Sequence, residues 1–308
     1  MKKYIYSAAI LIILIFMFTN PGDAVDASKT GVILWSETII PTLLPFMVLS
    51  NLIIQLDIVH MITYFFWPIC NKIFGLSSYG TYAFIIGFLC GYPMGAKVAA
   101  DLVQKQYISR VEGQYLLNFC NNVSPMFVIT YIIINSLQKT ELLIPTLVII
   151  YGSPIICAIL LNYGYRKKLG FTETSHKKGA SKVQISFELV DTCIMDAFEN
   201  VTKLGGYIIL FALISKIISH IPLHNLFIKN LLMGVAEITY GIQTIAKSNL
   251  VFANKYLLII GITTFGGLSS LAQTESMIKK SNLSLTKYIG AKLLTATISI
   301  ALGVLLLF

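Results

Sequence analysis

The chain has 308 residues, 56% of them hydrophobic and only 12% charged, and its mean hydropathy is +0.77. A soluble domain carries roughly twice that share of charge, about 25%, so the composition excludes an ordinary soluble protein and predicts an all-α polytopic membrane protein. The net charge of +9 fits a membrane surface better than nucleic acid, which is the weaker reading.

A helix crossing about 30 Å of hydrocarbon needs roughly 20 apolar residues. Runs of about that length lie at 4–19, 32–55, 114–137, 142–163, 204–221 and 287–308, whereas 58–75, 80–107, 229–247 and 256–280 are apolar but interrupted. The first run follows Lys2 and Lys3 and has the outline of a secretory signal. No soluble domain follows it, which favours a transmembrane helix with a loop over residues 1–30.

The run at 32–55 carries Glu37 in "WSETII", and 58–75, with His60, Trp67, Pro68 and Lys72, is expected at the membrane interface. In 80–107 the apolar pattern stops at "GYPMG" and resumes from Ala96. Glycine and proline end one half-helix there, so Gly91, Pro93 and Gly95 mark the tip of a re-entrant hairpin that must lie in protein or beside a water-filled cavity. The bland alternative is a tight turn outside the membrane. Lys97 stands in the first turn beyond the tip, where free amides already favour an anion; it can contact a carboxylate, snorkel, or pair with Asp101 four residues on. "SRVE" (109–112) matches a capping box and assigns Glu112 to structure.

In "LLNFCNNVSPMFVITYIII" (116–134), Asn121, Asn122 and Ser124 precede Pro125, and a broken helix is predicted there. Amides at a break can offer donors and acceptors to a polar solute, or cap the break and bond to the neighbouring hairpin. After the span at 142–163, the stretch 165–184 concentrates Arg166, Lys167, Lys168, Lys177, Lys178 and Lys182 against Glu173; the positive-inside rule makes it a cytoplasmic loop, with the N-terminus on the same side.

The second half offers Glu199, Glu237 and Glu275 in apolar surroundings, and intramembrane carboxylates usually face inward and function. Glu237, in "MGVAEITYG", is the strongest of them, because flanking small residues let helices approach. For each acid a buried structural bond is as good a reading as solute contact, and any of them could carry a coupling proton. A shift of 174 residues sets 85–105 against 259–279, with Asp101 on Glu275, and a shift of 162 sets Glu37 on Glu199. The predicted layout is two inverted repeats, 31–164 and 185–308 on either side of the 165–184 loop, each with a re-entrant hairpin and a broken transmembrane helix. The lysines at 229, 247, 255, 279 and 280 would then lie outward, against the charge rule.

His220 and His224 have helical spacing but Pro222 between them and no third ligand, so no metal site is expected. The five cysteines stand singly and read as packing residues. There is no GxxxxGK[ST], GxGxxG or GxSxG. The expectation is therefore no enzyme and no cofactor.

Several stretches resemble a known family: "GVILWSETIIPTLLPFMVLSNLI" (31–53), "GFLCGYPMGAKVAADL" (87–102), "NFCNNVSPMFV" (118–128), "GVAEITYGI" (234–242) and "FGGLSSLAQ" (265–273). They are similar to the sporulation integral membrane proteins of endospore-forming Firmicutes, which carry the nucleoside-recognition, or Gate, domain twice. The resemblance implies a fold like that of concentrative nucleoside transporters, a bacterial cell membrane or outer forespore membrane location, and movement of dipicolinic acid toward the spore. It also implies a role for Gln273, Thr274 and Glu275, a triplet those transporters use at a hairpin tip; here the triplet follows the glycine tip by several residues. The expected partners are a small anionic or nucleoside-like solute and the bilayer, with a homo-oligomer left open. A membrane-embedded hydrolase and a scaffold for spore-envelope assembly are the competing classes.

Overall fold

The structure is a computed structural model that describes residues 2–169 and 186–307. Residues 170–184 of the basic loop therefore lie outside the described residues. The described chain is helical throughout its regular elements. α1 (Lys2–Thr19) is followed by α2 (Pro21–Leu34), a π-helical turn (Trp35–Ile39) and α3 (Ile40–Gln55), then two short helices, α4 (Val59–Thr63) and α5 (Trp67–Phe74). α6 (Ser78–Cys90) and α7 (Met94–Gln104) follow, then α8 (Arg110–Cys120), a π-helical segment (Phe127–Leu137) and α9 (Leu143–Leu169). The second half comprises α10 (Phe187–His220), α11 (Leu226–Ala236), α12 (Ile238–Lys247), α13 (Phe252–Phe265), α14 (Gly267–Ile278) and α15 (Leu285–Leu307).

Four helical stretches are long and apolar enough to cross a membrane: 140–162, 187–220, 252–278 and 285–306. Two further pairs qualify when taken together but bend sharply, by 114° between 10–19 and 21–37 and by 96° between 67–74 and 78–90. The protein is a polytopic integral membrane protein, with the exposed apolar rows of α1, α9 and α15 suited to lipid.

Local chemistry sets the boundaries. Ser77, Ser109, Ser186 and Asn225 begin α6, α8, α10 and α11, each side chain accepting from a backbone N–H three residues on, as an N-cap should. The capping box at 109–112 forms only by half. Ser109 Oγ accepts from Glu112 N (3.1 Å), but Glu112 Oε1 accepts from Ser77 N (2.8 Å). Glu112 thus caps the neighbouring α6 instead of its own helix, and its carboxylate is buried against Gly80, where a Cβ would fall 2.1 Å from Oε1.

The hairpin predicted at 80–107 is present: α6 and α7 lie against each other around a turn formed by Gly91, Tyr92 and Pro93, with a cis Tyr92–Pro93 bond. The second hairpin is not where the 174-residue shift put it. α11 and α12 fold back on each other, with Gly241 so close that a Cβ would meet Gly234 Cα at 2.2 Å. The stretch 252–278 instead runs on as one interrupted span. Gly91 (φ 86°, ψ 177°) leads into a chain reversal, whereas Gly266 (φ 94°, ψ −15°) interrupts a stretch that continues as one span. A glycine break has the same appearance in sequence either way.

With that corrected, the element order repeats: hairpin, broken helix, long helix. It reads α6–α7, α8 with the π segment, and α9 in the first half, then α11–α12, α13–α14 and α15 in the second. The starts of α8 and α13 are 142 residues apart, as are those of α9 and α15. Contacts cross between the halves in matching fashion: α14 packs on α7 and the π segment on α12, while α9 and α15 pack together.

Candidate functional site

Both hairpin tips and both helix breaks converge on one cavity of about 220 Å³. Cys90, Gly91 and Tyr92 come from the first tip, and Val123, Ser124, Met126 and Phe127 from the first break. Glu237, Ile238 and Thr239 come from the second tip, and Gly266, Ser269, Ser270 and Gln273 from the second break. Leu34, Ile39 and Leu43 from the α2–α3 region and Leu204 and Ile208 from α10 close the apolar side. Exposed Met126 and Asn135 stand at its rim.

The approach is close because a glycine stands at each contact, in the first tip and in the second break. At Gly91 a Cβ would come within 2.6 Å of Ser124 N; at Gly267 it would meet Ile238 Cγ2 at 3.0 Å and Val235 O at 3.1 Å. Each tip is therefore seated on the break that follows it in the chain.

The polar residues around the breaks divide into those that face the cavity and those that hold it. Asn121, fully buried, is a four-way junction. Its Oδ1 accepts from Ala96 N at the start of α7 (3.2 Å), and its Nδ2 donates to Thr274 Oγ1 of α14 (3.0 Å) and Tyr288 OH of α15 (2.9 Å). Asn122 Nδ2 donates to Phe119 O (2.7 Å), and its Oδ1 accepts from Lys292 Nζ (3.0 Å). Ser124 Oγ accepts from Phe127 N (3.2 Å), which begins the π segment. Tyr131 OH donates to Thr239 O (2.9 Å), tying that segment to the second tip.

Glu237 is 5% exposed, and its Oε2 accepts from Tyr240 N (2.7 Å), capping α12. No Lys, Arg or His lies within salt-bridge distance of it among the described residues. Gln273 Nε2 donates to Ser269 Oγ (3.0 Å), so its amide oxygen can serve a solute.

Of the residues singled out from sequence, Gly91, Ser124, Glu237 and Gln273 line the cavity. Asn121, Asn122 and Thr274 are one layer behind it, in the bonds just described. Pro93 precedes α7, and Gly95 lets α7 touch the end of α8, since a Cβ there would fall 2.5 Å from Cys120 O. Lys97 turns to Asp101 (Nζ–Oδ2 2.6 Å), on its own helix. Glu275 and Glu37 are exposed, and exposed Glu199 pairs with Lys203. His220 pairs through Nε2 with Asp23 (2.8 Å), which also holds Lys216 (2.9 Å). No group of three His, Cys, Asp or Glu among the described residues is placed to hold a metal.

Sequence reasoning missed Lys292, Tyr288, Tyr92 and Tyr131. The signal for Lys292 was available: it is a charge inside the apolar run 287–308, and the argument applied to intramembrane carboxylates holds equally for an ammonium. The tyrosines carry no comparable mark, because an aromatic in an apolar run reads as packing.

The sporulation integral membrane protein YlbJ of Bacillus subtilis (strain 168) is 26% identical over 310 aligned residues, which cover 90% of this chain and 76% of that protein. The chain is similar to this sporulation integral membrane protein over most of its length. No family model matches it, and no solved structure matches it.

Proposed function

We propose that the chain is a secondary carrier or channel for a small solute, with the cavity between the hairpin tips and helix breaks as its binding chamber. The observation that carries this reading is the convergence of four interrupted backbone segments on one space of about 220 Å³. Irregular backbone inside a bilayer is tolerated only where it is buried in protein or lines a cavity, and here it does both. In transporters built from inverted repeats, such breaks at matching positions mark the solute site. The order hairpin, broken helix, long helix in each half supports reading 31–164 and 185–308 as such repeats, with the hairpins re-entrant from opposite faces.

The volume exceeds the ~150 Å³ that holds benzene in an engineered protein cavity, so a single small ring with polar substituents fits. Tyr92, Tyr131 and Phe127 supply aromatic walls, and Ser124, Ser269, Ser270, Gln273 and Glu237 supply polar contacts. A neutral, nucleoside-like solute matches that lining directly, whereas an anionic one would meet the Glu237 carboxylate with no Lys, Arg or His in the lining. The sporulation context of the relative, and the Gate-type resemblance, make dipicolinic acid the first candidate and the forespore envelope the place. No enzymatic step is part of this reading, and the N-terminus and 165–184 loop are taken as cytoplasmic.

The test is uptake into proteoliposomes together with ligand-dependent melting. Saturable flux of dipicolinate or a nucleoside, reduced at least tenfold by Glu237→Ala or Gln273→Ala, is the expected result; absence of both flux and ligand stabilisation across that set rejects the reading. One observation favours a second reading, a membrane scaffold for spore-envelope assembly: Asn121 spends its full amide on internal bonds, as in a static core. That reading requires specific co-purifying partners and no solute effect.

A further inference from the structure

Lys292 lies two turns inside an apolar helix, is 1% exposed, and does not line the cavity. Among the described residues its Nζ makes one hydrogen bond, to Asn122 Oδ1 at 3.0 Å. The Tyr288 ring centroid is 5.7 Å away, and no carboxylate among the described residues is within salt-bridge distance. An ammonium has three donors, and at this depth it is costly unless its surroundings repay it. A methionine or leucine would pack the same space at lower cost, so packing alone does not account for a lysine.

What the ammonium holds is specific. Tyr288 and Lys292 are one turn apart on the same face of α15. Tyr288 takes Asn121 Nδ2 and Lys292 takes Asn122 Oδ1, so two residues one turn apart on α15 grip the two adjacent residues that open the break. The chain leaving that grip is Val123 to Phe127, one wall of the cavity. Asn121 has further anchors in Ala96 and Thr274. Asn122 has only Phe119 O, the end of its own α8, besides Lys292. Among the described residues the Asn122 side chain is thus linked to the rest of the bundle by a single bond, while the next residue is held separately, Val123 O accepting from Tyr151 OH of α9 (2.8 Å). The second break, at Gly266 and Gly267, has no side-chain amides to be gripped.

We propose that Lys292 is the catch of the cavity wall: its bond to Asn122 keeps residues 123–127 seated, and release of that bond opens the cavity at the first helix break. Lys292 is a positioning residue in this scheme, acting through Asn122. The proposal rests on the cavity being a working chamber, but its test needs no solute, so it can fail while solute flux stands, or stand while flux is absent.

Cys90 lines the cavity and is buried, which makes the native chain its own probe. The purified full-length protein in detergent is treated with N-ethylmaleimide, and modification of Cys90 is followed by peptide mass mapping alongside the melting temperature. With the catch in place Cys90 reacts slowly; Lys292→Met is expected to raise its rate about tenfold, as local opening of the wall would. Lys292→Arg, which keeps an N–H for Asn122, stays within about threefold of the unmodified protein, and Asn122→Asp, which turns the bond into an ion pair, reacts more slowly still. An unchanged Cys90 rate in Lys292→Met, whatever happens to the melting temperature, makes Lys292 a packing residue and overturns the proposal. Should Lys292→Met not fold, the decision falls to Asn122→Asp, and a rate equal to or above that of the unmodified protein overturns it equally.

Discussion

Asn121 and Lys97 show how differently two polar residues in similar apolar sequence are used. Asn121 joins α7, α14 and α15 to the end of α8 through three hydrogen bonds. Truncation to alanine leaves a backbone N–H and two hydroxyls without their partner; at 1–3 kcal/mol for each unsatisfied buried group, with partial relaxation, Asn121→Ala should cost about 3 kcal/mol. The measurement is thermal unfolding in detergent, and a shift within error of the unmodified protein would contradict the junction. Lys97, paired with Asp101 along one helix face, is worth about 0.5 kcal/mol at most. Lys97→Met should leave both melting temperature and flux almost unchanged. Loss of flux with normal stability would return Lys97 to the site.

At the scale of elements, the first hairpin depends on a conformation that only glycine adopts easily. Gly91 has φ 86° and would place a Cβ 2.6 Å from Ser124 N, so Gly91→Ala combines backbone strain of about 1–3 kcal/mol with a clash that forces the tip off the break. The expected outcome is a lower melting temperature together with loss of solute-induced stabilisation. Gly290, where a Cβ meets nothing, is the control: Gly290→Ala, inside α15, should be neutral or stabilising by about 0.5–1 kcal/mol. The first helix of the same hairpin is fixed from outside, by Glu112 on the Ser77 amide. Glu112→Gln weakens that cap by about 1 kcal/mol, and amide hydrogen exchange should rise at residues 78–81 before it rises at 110–113.

At the scale of the molecule, the prediction concerns which way each hairpin points. If the halves are inverted, single cysteines placed at the exposed Gln104 and Lys247, where α7 and α12 end, should be reached by impermeant thiol reagents from opposite faces of sealed vesicles. Equal labelling of both from one face would remove the inverted arrangement and, with it, the alternating-access form of the transport reading. The bend of 96° between α5 and α6 gives a second check. If 58–75 lies at the interface, as its sequence predicts, the exposed Tyr64, Phe65, Phe66 and Trp67 sit where aromatics concentrate, and with Trp35 replaced by phenylalanine, Trp67 fluorescence should be quenched more by shallow than by deep lipid-borne quenchers.

Composition and apolar run length were enough to make this chain a polytopic helical membrane protein, because the bilayer accepts so few backbone structures. They also placed the first hairpin and the first break, since "GYPMG" and "NNVSP" withdraw backbone donors wherever they fall in the fold. The register of the second half was not legible. Whether the chain reverses or continues at a glycine depends on what packs against it, and Gly241 on Gly234, seen only in three dimensions, makes 226–247 the hairpin and 252–278 the broken span. Tertiary structure alone decided which polar residues face the cavity and which serve the frame. Glu237 and Gln273 reach the space while Lys97 and Glu275 turn away, and Lys292 meets Asn122 across 170 residues of chain. A hydrogen bond between residues so far apart leaves no periodicity or spacing in the sequence, because it is set by where two helices happen to cross.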